Sequence, residues 1–358
     1  MSTESTRFMR ALHRQPVDHT PVWFMRQAGR VLPEYRAVRA ELSLLDICRR
    51  PALCAEVTLQ PVHRFGMDAA ILFADIMHPL IGAGVDLDIV DGVGPVIRTP
   101  VRSQREIDTL RTLNPEADLG FVLDTIRILK AELGNRVPLI GFSGAPFTLA
   151  SYLIEGKASR DFARTKTMMY SAPALWHELM HRLTEMVIVY LRAQWTAGAD
   201  ALQLFDSWVG CLSPSDYERY VRPYSRRVFS ELASSGAPMI HFGVNTATLL
   251  HAMKDDGAGT IGVDWRIPLD DAWAIIGEDK GIQGNLDPTV LFGSPDVMER
   301  EVSDVLRRAG GRPGHIFNLG HGLLPSTPLD GVSRVVDLVR ALSMGIEGAE
   351  PELIGARS

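Results

Sequence analysis

Apolar residues along the chain gather into short runs that stop at a Gly, Asp, Ser, Asn or His, and a helical pattern follows most of them. The runs cover residues 21–25, 69–73, 137–142, 201–205, 238–242, 260–263, 281–283 and 315–319. Their β-branched and aromatic content, bounded by polar breaks, predicts about eight strands. Between strands, Val122, Ile126, Leu129 and Leu133 recur at helical spacing and stop at Gly134. A second stripe, Val332, Val336, Val339 and Leu342, stops at Gly345. Strands alternating with helices imply parallel βαβ units. Eight such units, with charged residues after the strands rather than before them, suggest a (β/α)8 TIM barrel with its chemistry at the C-terminal face. An open doubly wound sheet has the same local pattern.

Residues 1–20 read as an N-terminal extension: Ser2 to Thr6 offer caps for a short helix whose Phe8 and Leu12 pack on the body. Val85-Asp86-Leu87-Asp88-Ile89 alternates with period two, and Asp91-Gly92 followed by Val96-Ile97 reads as the turn and return of a hairpin. This insertion follows the second strand, so it is expected to overhang the barrel mouth. No internal repeat or linker divides the chain, which predicts one domain over residues 1–358, with a frayed tail at 345–358 rich in Gly, Ala and Glu.

The charge and cysteine content narrow the class of protein. A net charge of −6 without a basic run argues against nucleic acid as the main partner, so an anionic ligand needs a local cluster of positive charge. Three cysteines, Cys48, Cys54 and Cys211, are too few for a disulfide framework and suit a reducing, cytoplasmic compartment. The first twenty residues lack the apolar core of a secretory signal, and the longest span candidate, residues 186–199, contains Arg192.

Two motifs are set aside on context. His177-Glu178-Leu179-Met180-His181 matches H-E-x-x-H, but Trp176, Met180, Leu183, Val187 and Tyr190 define the buried side of that helix and turn both histidines toward solvent. Gly257-Ala258-Gly259-Thr260-Ile261-Gly262 matches G-x-G-x-x-G, yet it leads into a strand instead of opening a helix.

The positive cluster lies just past the first strand. Residues 21–39 read P-V-W-F-M-R-Q-A-G-R-V-L-P-E-Y-R-A-V-R, and Gly29 and Pro33 keep the segment from continuing as a strand or a clean helix. Several guanidinium forks on one loop can converge on an anion. Other strand ends present Asp75 in an apolar setting, Gly141 to Pro146 with Phe142, and Tyr152 beyond them. Phe205-Asp206-Ser207 and Gly320-His321-Gly322 complete the set. There is no strand-end lysine for a Schiff base, no phosphate-cradling loop and no Cys/His cluster. What remains suits a polycarboxylate whose own electronics carry the difficult step.

The 21–36 stretch resembles the amino-terminal signature P-x-W-x-M-R-Q-A-G-R-x-x-P-E-[YF]-R of the uroporphyrinogen decarboxylase family at every fixed position. Further blocks follow in order: F-x-D-I at 73–76, P-L-I-G-F-S-G-A-P-F-T at 138–148, Q-L-F-D-S at 203–207, Q-G-N-L-D-P at 283–288 and N-L-G-H-G at 318–322. The resemblance favours the barrel. It also implies removal of the four acetate carboxyls of uroporphyrinogen without cofactor or metal, by a homodimer. It assigns Arg26, Arg30 and Arg39 to substrate carboxylates, Phe205 to the macrocycle, Ser207 and His321 to propionate or acetate contacts, and Gln27 with residues 71–73 (Phe73 included) and Phe142 to the pocket wall. Asp75 is the expected electrostatic catalyst, and the proton donor is left among Arg26, Tyr152 and His321. A corrinoid-dependent methyltransferase of the same barrel family would need an H-x-C zinc pair, whereas His241 is followed by Phe242-Gly243 and no cysteine occurs after Cys211. A tetrapyrrole carrier would need the pocket and arginines but not Asp75.

Overall fold

Strands of this composition are buried on both faces, and a parallel sheet covered by helices accommodates them. In the computed structural model, which describes residues 3–90 and 92–344, the chain forms nine strands. They are β1 (Ala70–Ile71), β2 (Leu87–Val90), β3 (Gly94–Ile97), β4 (Leu139–Gly144), β5 (Ala201–Asp206), β6 (Met239–Gly243), β7 (Thr260–Gly262), β8 (Gly281–Gln283) and β9 (His315–Ile316). Seven make a curled parallel sheet in the order β1-β4-β5-β6-β7-β8-β9. Spatial order follows chain order without a reversal, which removes the doubly wound alternative. Every residue of β4, β6, β7 and β8 is buried, and β5 leaves only Phe205 partly open.

The run at 21–25 differs from the expected strand. Only Val22 bridges, to Phe317 just beyond β9. Pro21 has no N–H, and side chains take most of the other donors: Asp68 Oδ2 accepts from Val22 N at 2.9 Å, Gln27 Oε1 from Phe24 N at 3.0 Å and Asn318 Oδ1 from Met25 N at 3.2 Å. Asp68 N also donates to the Val22 carbonyl, and Phe317 N to that of Pro21, at 2.9 Å each. The segment therefore lies between the end of β9 and the approach to β1. Trp23 is wholly buried and donates to Gln283 Oε1 at 3.1 Å, and Gln283 donates in turn to Gln203 at 3.2 Å.

Helices cover the sheet. The stripe through Val122 and Leu133 lies on the helix Gly120–Leu133, which ends at Gly134 with φ 56°. The second stripe needs a correction: helix Leu329–Ser343 buries Val332, Val335, Val336 and Val339, but Leu342 is 38% exposed. At about 100° per residue the next position on that face is 343. Ser343 is buried there, accepting from Thr20 N at 3.0 Å and donating to the Val339 carbonyl. Gly345 and the rest of the expected tail lie outside the described residues. Thr6 caps a first helix, Arg7–Leu12, with Phe8 and Leu12 buried.

β2 and β3 pair antiparallel, Leu87 opposite Ile97, after β1. Val85 precedes the ladder, because its N–H donates to the Leu80 carbonyl. In the helix Pro173–Ala197, His181 is exposed, and His177 instead packs against Tyr224, whose hydroxyl lies 2.7 Å from Nδ1. Among the described residues no helix is long and apolar enough to cross a membrane.

Candidate active site

A cavity opens beyond the carboxyl ends of β1, β4, β5 and β6. Arg26, Arg30, Phe73, Asp75, Phe142, Tyr152, Phe205, Ser207 and His321 all line it. Each arrives by its own local device. Arg26 has φ 61°, a conformation that Cβ-bearing residues adopt only when their surroundings impose it. The neighbouring Gln27 is one such constraint. Its wholly buried amide accepts from Phe24 N and donates to the Ala69 carbonyl at 2.9 Å, turning the chain at the strand end. Gln27 is thus a brace beneath the loop and lies outside the cavity lining, contrary to its expected place in the wall. Arg39 also falls outside the lining: it ends the helix Pro33–Arg39 and directs Nη1 to the Leu42 carbonyl at 2.7 Å.

Arg26 runs directly over Gly322. Any Cβ at position 322 would collide with the Arg26 side chain, so the second glycine of Gly320-His321-Gly322 makes room for the guanidinium. Among the described residues, no hydrogen bond or ion pair engages the guanidinium of Arg26 or of Arg30. Burial lowers the pKa of Arg26, the nearby charge of Arg30 lowers it further, and Asp75 and Tyr152 oppose both. Two guanidiniums that line one cavity with their donors unengaged among the described residues form a receptor for an external anion.

Asp75 sits in the turn after β1, half-buried, with Oδ1 accepting from Met77 N at 2.9 Å. Gly144 packs against this turn, its N–H donating to the Ile76 carbonyl at 3.3 Å, and a Cβ there would lie 3.1 Å from the same oxygen. Burial raises the Asp75 pKa, while the Met77 N–H, the His78 imidazole and Arg26 favour the carboxylate. Tyr152, on the helix Pro146–Glu155, is pushed up to about 12 by burial and by Asp75, so its phenol keeps its proton. His321 is pushed down to about 4, first by burial and then by Arg26. Its Nδ1 accepts from Gly322 N at 2.6 Å, which leaves the neutral ring's proton on Nε2.

Aromatic rings also line the cavity. Phe205 stands edge-on to Phe142 at 5.4 Å and to Phe242 at 5.8 Å, and Tyr35 tilts against Phe73 at 5.3 Å. Phe242 and Tyr35 were not singled out from the sequence. Strand pairing carries the missing signal for Phe242, which sits opposite Phe205 in the β5–β6 register. Ile89, Gly94 and Pro95 bring the hairpin to the cavity edge. His241 lies elsewhere, wholly buried with its ring 5.0 Å from that of Phe229.

Comparison with known proteins agrees with this geometry. The family model described as uroporphyrinogen decarboxylase (URO-D) matches residues 3–342. A relative named uroporphyrinogen decarboxylase from Sorangium cellulosum is 53% identical over 97% of this chain and 99% of its own length. One of the same name from Thermus thermophilus is 54% identical over 94% and 97%. Among solved structures, a methyltransferase from Methanosarcina mazei superposes with a TM-score of 0.76 at 20% identity, covering 95% of this chain and 98% of that one. That likeness concerns the fold.

Proposed function

The chain belongs to the uroporphyrinogen decarboxylase family, whose members are carboxy-lyases of tetrapyrrole biosynthesis, and from that premise we propose how its cavity removes the four acetate carboxyls of uroporphyrinogen III to give coproporphyrinogen III. Arg26 and Arg30 bind carboxylates at the rim of the macrocycle, while Phe142, Phe205 and Phe242 pack against its rings. A proton added to a pyrrole carbon turns that ring into an electron sink. The bond between the acetate methylene and its carboxyl then breaks, CO2 leaves, and the electron pair enters the ring. Protonation of the methylene carbon then makes the methyl group, and loss of the proton first added to the ring carbon restores the pyrrole and completes the product. Asp75, facing the pyrrole N–H groups, stabilises the cationic ring by preorganised electrostatics. His321 is neutral near pH 7 and contributes a hydrogen bond from Nε2. The proton donor is left among Arg26, whose pKa burial moves downward, Tyr152, whose pKa moves away from donation, and His321, whose neutral ring carries its proton on Nε2.

The observation that carries this reading is that Asp75 borders the same cavity as two guanidiniums that, among the described residues, no hydrogen bond or ion pair engages. CO2 release from uroporphyrinogen tests it. Asp75→Ala is expected to lower turnover by about 10²–10³-fold or more, and near-normal turnover would overturn the assignment.

Three further elements belong to the same proposal. Residues 21–25, hydrogen-bonded toward both β9 and the approach to β1, act as the eighth stave that closes a single (β/α)8 barrel domain. The family resemblance supports a homodimer. The cytoplasm is the expected compartment, in keeping with free Cys48, Cys54 and Cys211.

A further inference from the structure

The carboxylate of Asp75 can act on a ring in the cavity only if the turn that carries it holds one conformation. Regular secondary structure gives the turn one tether, the Gly144 N–H at the end of β4 donating to the Ile76 carbonyl at 3.3 Å, and that holds Ile76 rather than Asp75 itself. β1 ends at Ile71, and the helix His78–Gly82 has five residues, too few to be stable alone. The Met77 N–H fixes one carboxylate oxygen, but that bond orients the side chain relative to the turn and not the turn relative to the cavity.

We propose that His78, outside the cavity lining, is the positioning residue for Asp75, its imidazole Nδ1 clamping the Asp75 main chain so that the carboxylate faces the substrate. His78 is wholly buried. Its Nδ1 lies 2.7 Å from the Asp75 carbonyl oxygen and 3.0 Å from the Asp75 amide nitrogen, so one ring atom touches both ends of the same residue. Either tautomer engages the Asp75 main chain: unprotonated, Nδ1 accepts from the Asp75 N–H, and protonated, it donates to the Asp75 carbonyl. The His78 main-chain N–H reaches the same carbonyl only at 3.3 Å, so the side chain makes the tighter hold. Among the described residues Nε2 has no partner, and the ring rests 5.8 Å from that of Phe121. A packing role needs no nitrogen, and a buried nitrogen without a partner destabilises the fold. The side chain's specific contribution is therefore the Nδ1 contact with Asp75.

This inference rests on the reading of Asp75 above, and its test separates the two. CO2 release is measured at saturating and limiting uroporphyrinogen for His78→Leu, His78→Phe and His78→Asn, beside the wild type and Asp75→Ala. Thermal melting verifies that each variant is folded. The amide nitrogen of Asn can take the place of Nδ1, whereas Leu and Phe fill space without a donor. His78→Leu and His78→Phe are expected to lose at least about tenfold in kcat with KM changed less than about twofold, and His78→Asn to recover most of that kcat. Should His78→Leu be insoluble, His78→Phe against His78→Asn carries the comparison. Wild-type kcat in the Leu or Phe variant overturns the proposal, as does an equal loss in the Asn variant. If Asp75→Ala itself keeps full turnover, the assignment of Asp75 fails instead, whatever the His78 variants show.

Discussion

At the scale of single residues, the site holds groups in states that folding alone disfavours. Asp75 is held against its own hydration, and its pKa stands above the ordinary carboxylate value because burial outweighs Met77, His78 and Arg26. In the unfolded chain an aspartate titrates near 3.9. Between that value and the higher folded one, the folded chain binds the proton more tightly. Stability therefore falls as pH rises through the window, and the deficit persists above it. Asp75→Asn, which cannot ionise, is expected to melt above the wild type at pH 7, with the gap closing as pH falls below about 4, and to lose CO2 release. A melting temperature at pH 7 equal to or below that of the wild type would show that burial does not dominate at Asp75. Arg26 follows the same logic in its backbone, since φ 61° is tolerated where Gln27 and Gly322 surround it.

At the scale of elements, the loop after residue 25 owes its shape to one amide. Gln27→Leu would leave the Phe24 N–H and the Ala69 carbonyl buried without partners, at about 1–3 kcal/mol each. It would also release the turn that aims Arg26 and Arg30. The expected result is a urea midpoint lowered by at least that of one lost bond, together with a raised KM for uroporphyrinogen; an unchanged KM in a destabilised variant would limit Gln27 to folding. This element also shows where sequence reading stops. The motif marks Gln27 as plainly as Arg26, and Arg39 follows three residues past its end, because a pattern of residues records which ones belong together and not which way each points. Gln27 turns inward to bind backbone, and Arg39 turns to the Leu42 carbonyl. The helical stripe is legible to within one position: apolar character points to Leu342, whereas the helical phase puts Ser343 on the buried face. His78 passed unnoticed because only burial and the contact with Asp75 give it significance.

At the scale of the whole molecule, the seam between residues 21–25 and β1 is closed by a side chain. Asp68 accepts from Val22 N and lies 3.6 Å from Arg7 of the first helix. Asp68→Ala is expected to cost about 1–3 kcal/mol in chemical denaturation, by stranding the Val22 N–H. Asp68→Asn, which keeps an acceptor oxygen, should lose less, and equal losses would mean that the charge and not the hydrogen bond holds the seam. The succession of strands and helices along the chain and the polar residues at their ends, Asp75 and His321 among them, were legible in the sequence alone, since strand and helix periods and polar strand ends are local properties; the order of the strands in the sheet was not, because a doubly wound sheet has the same local pattern. Which of those polar groups share one cavity was decided only by the tertiary structure. A sheet that curls brings residues 26, 75, 152 and 321 to one cavity, and the loop that carries Arg26 is turned by hydrogen bonds to a partner far away in the chain, the Ala69 carbonyl.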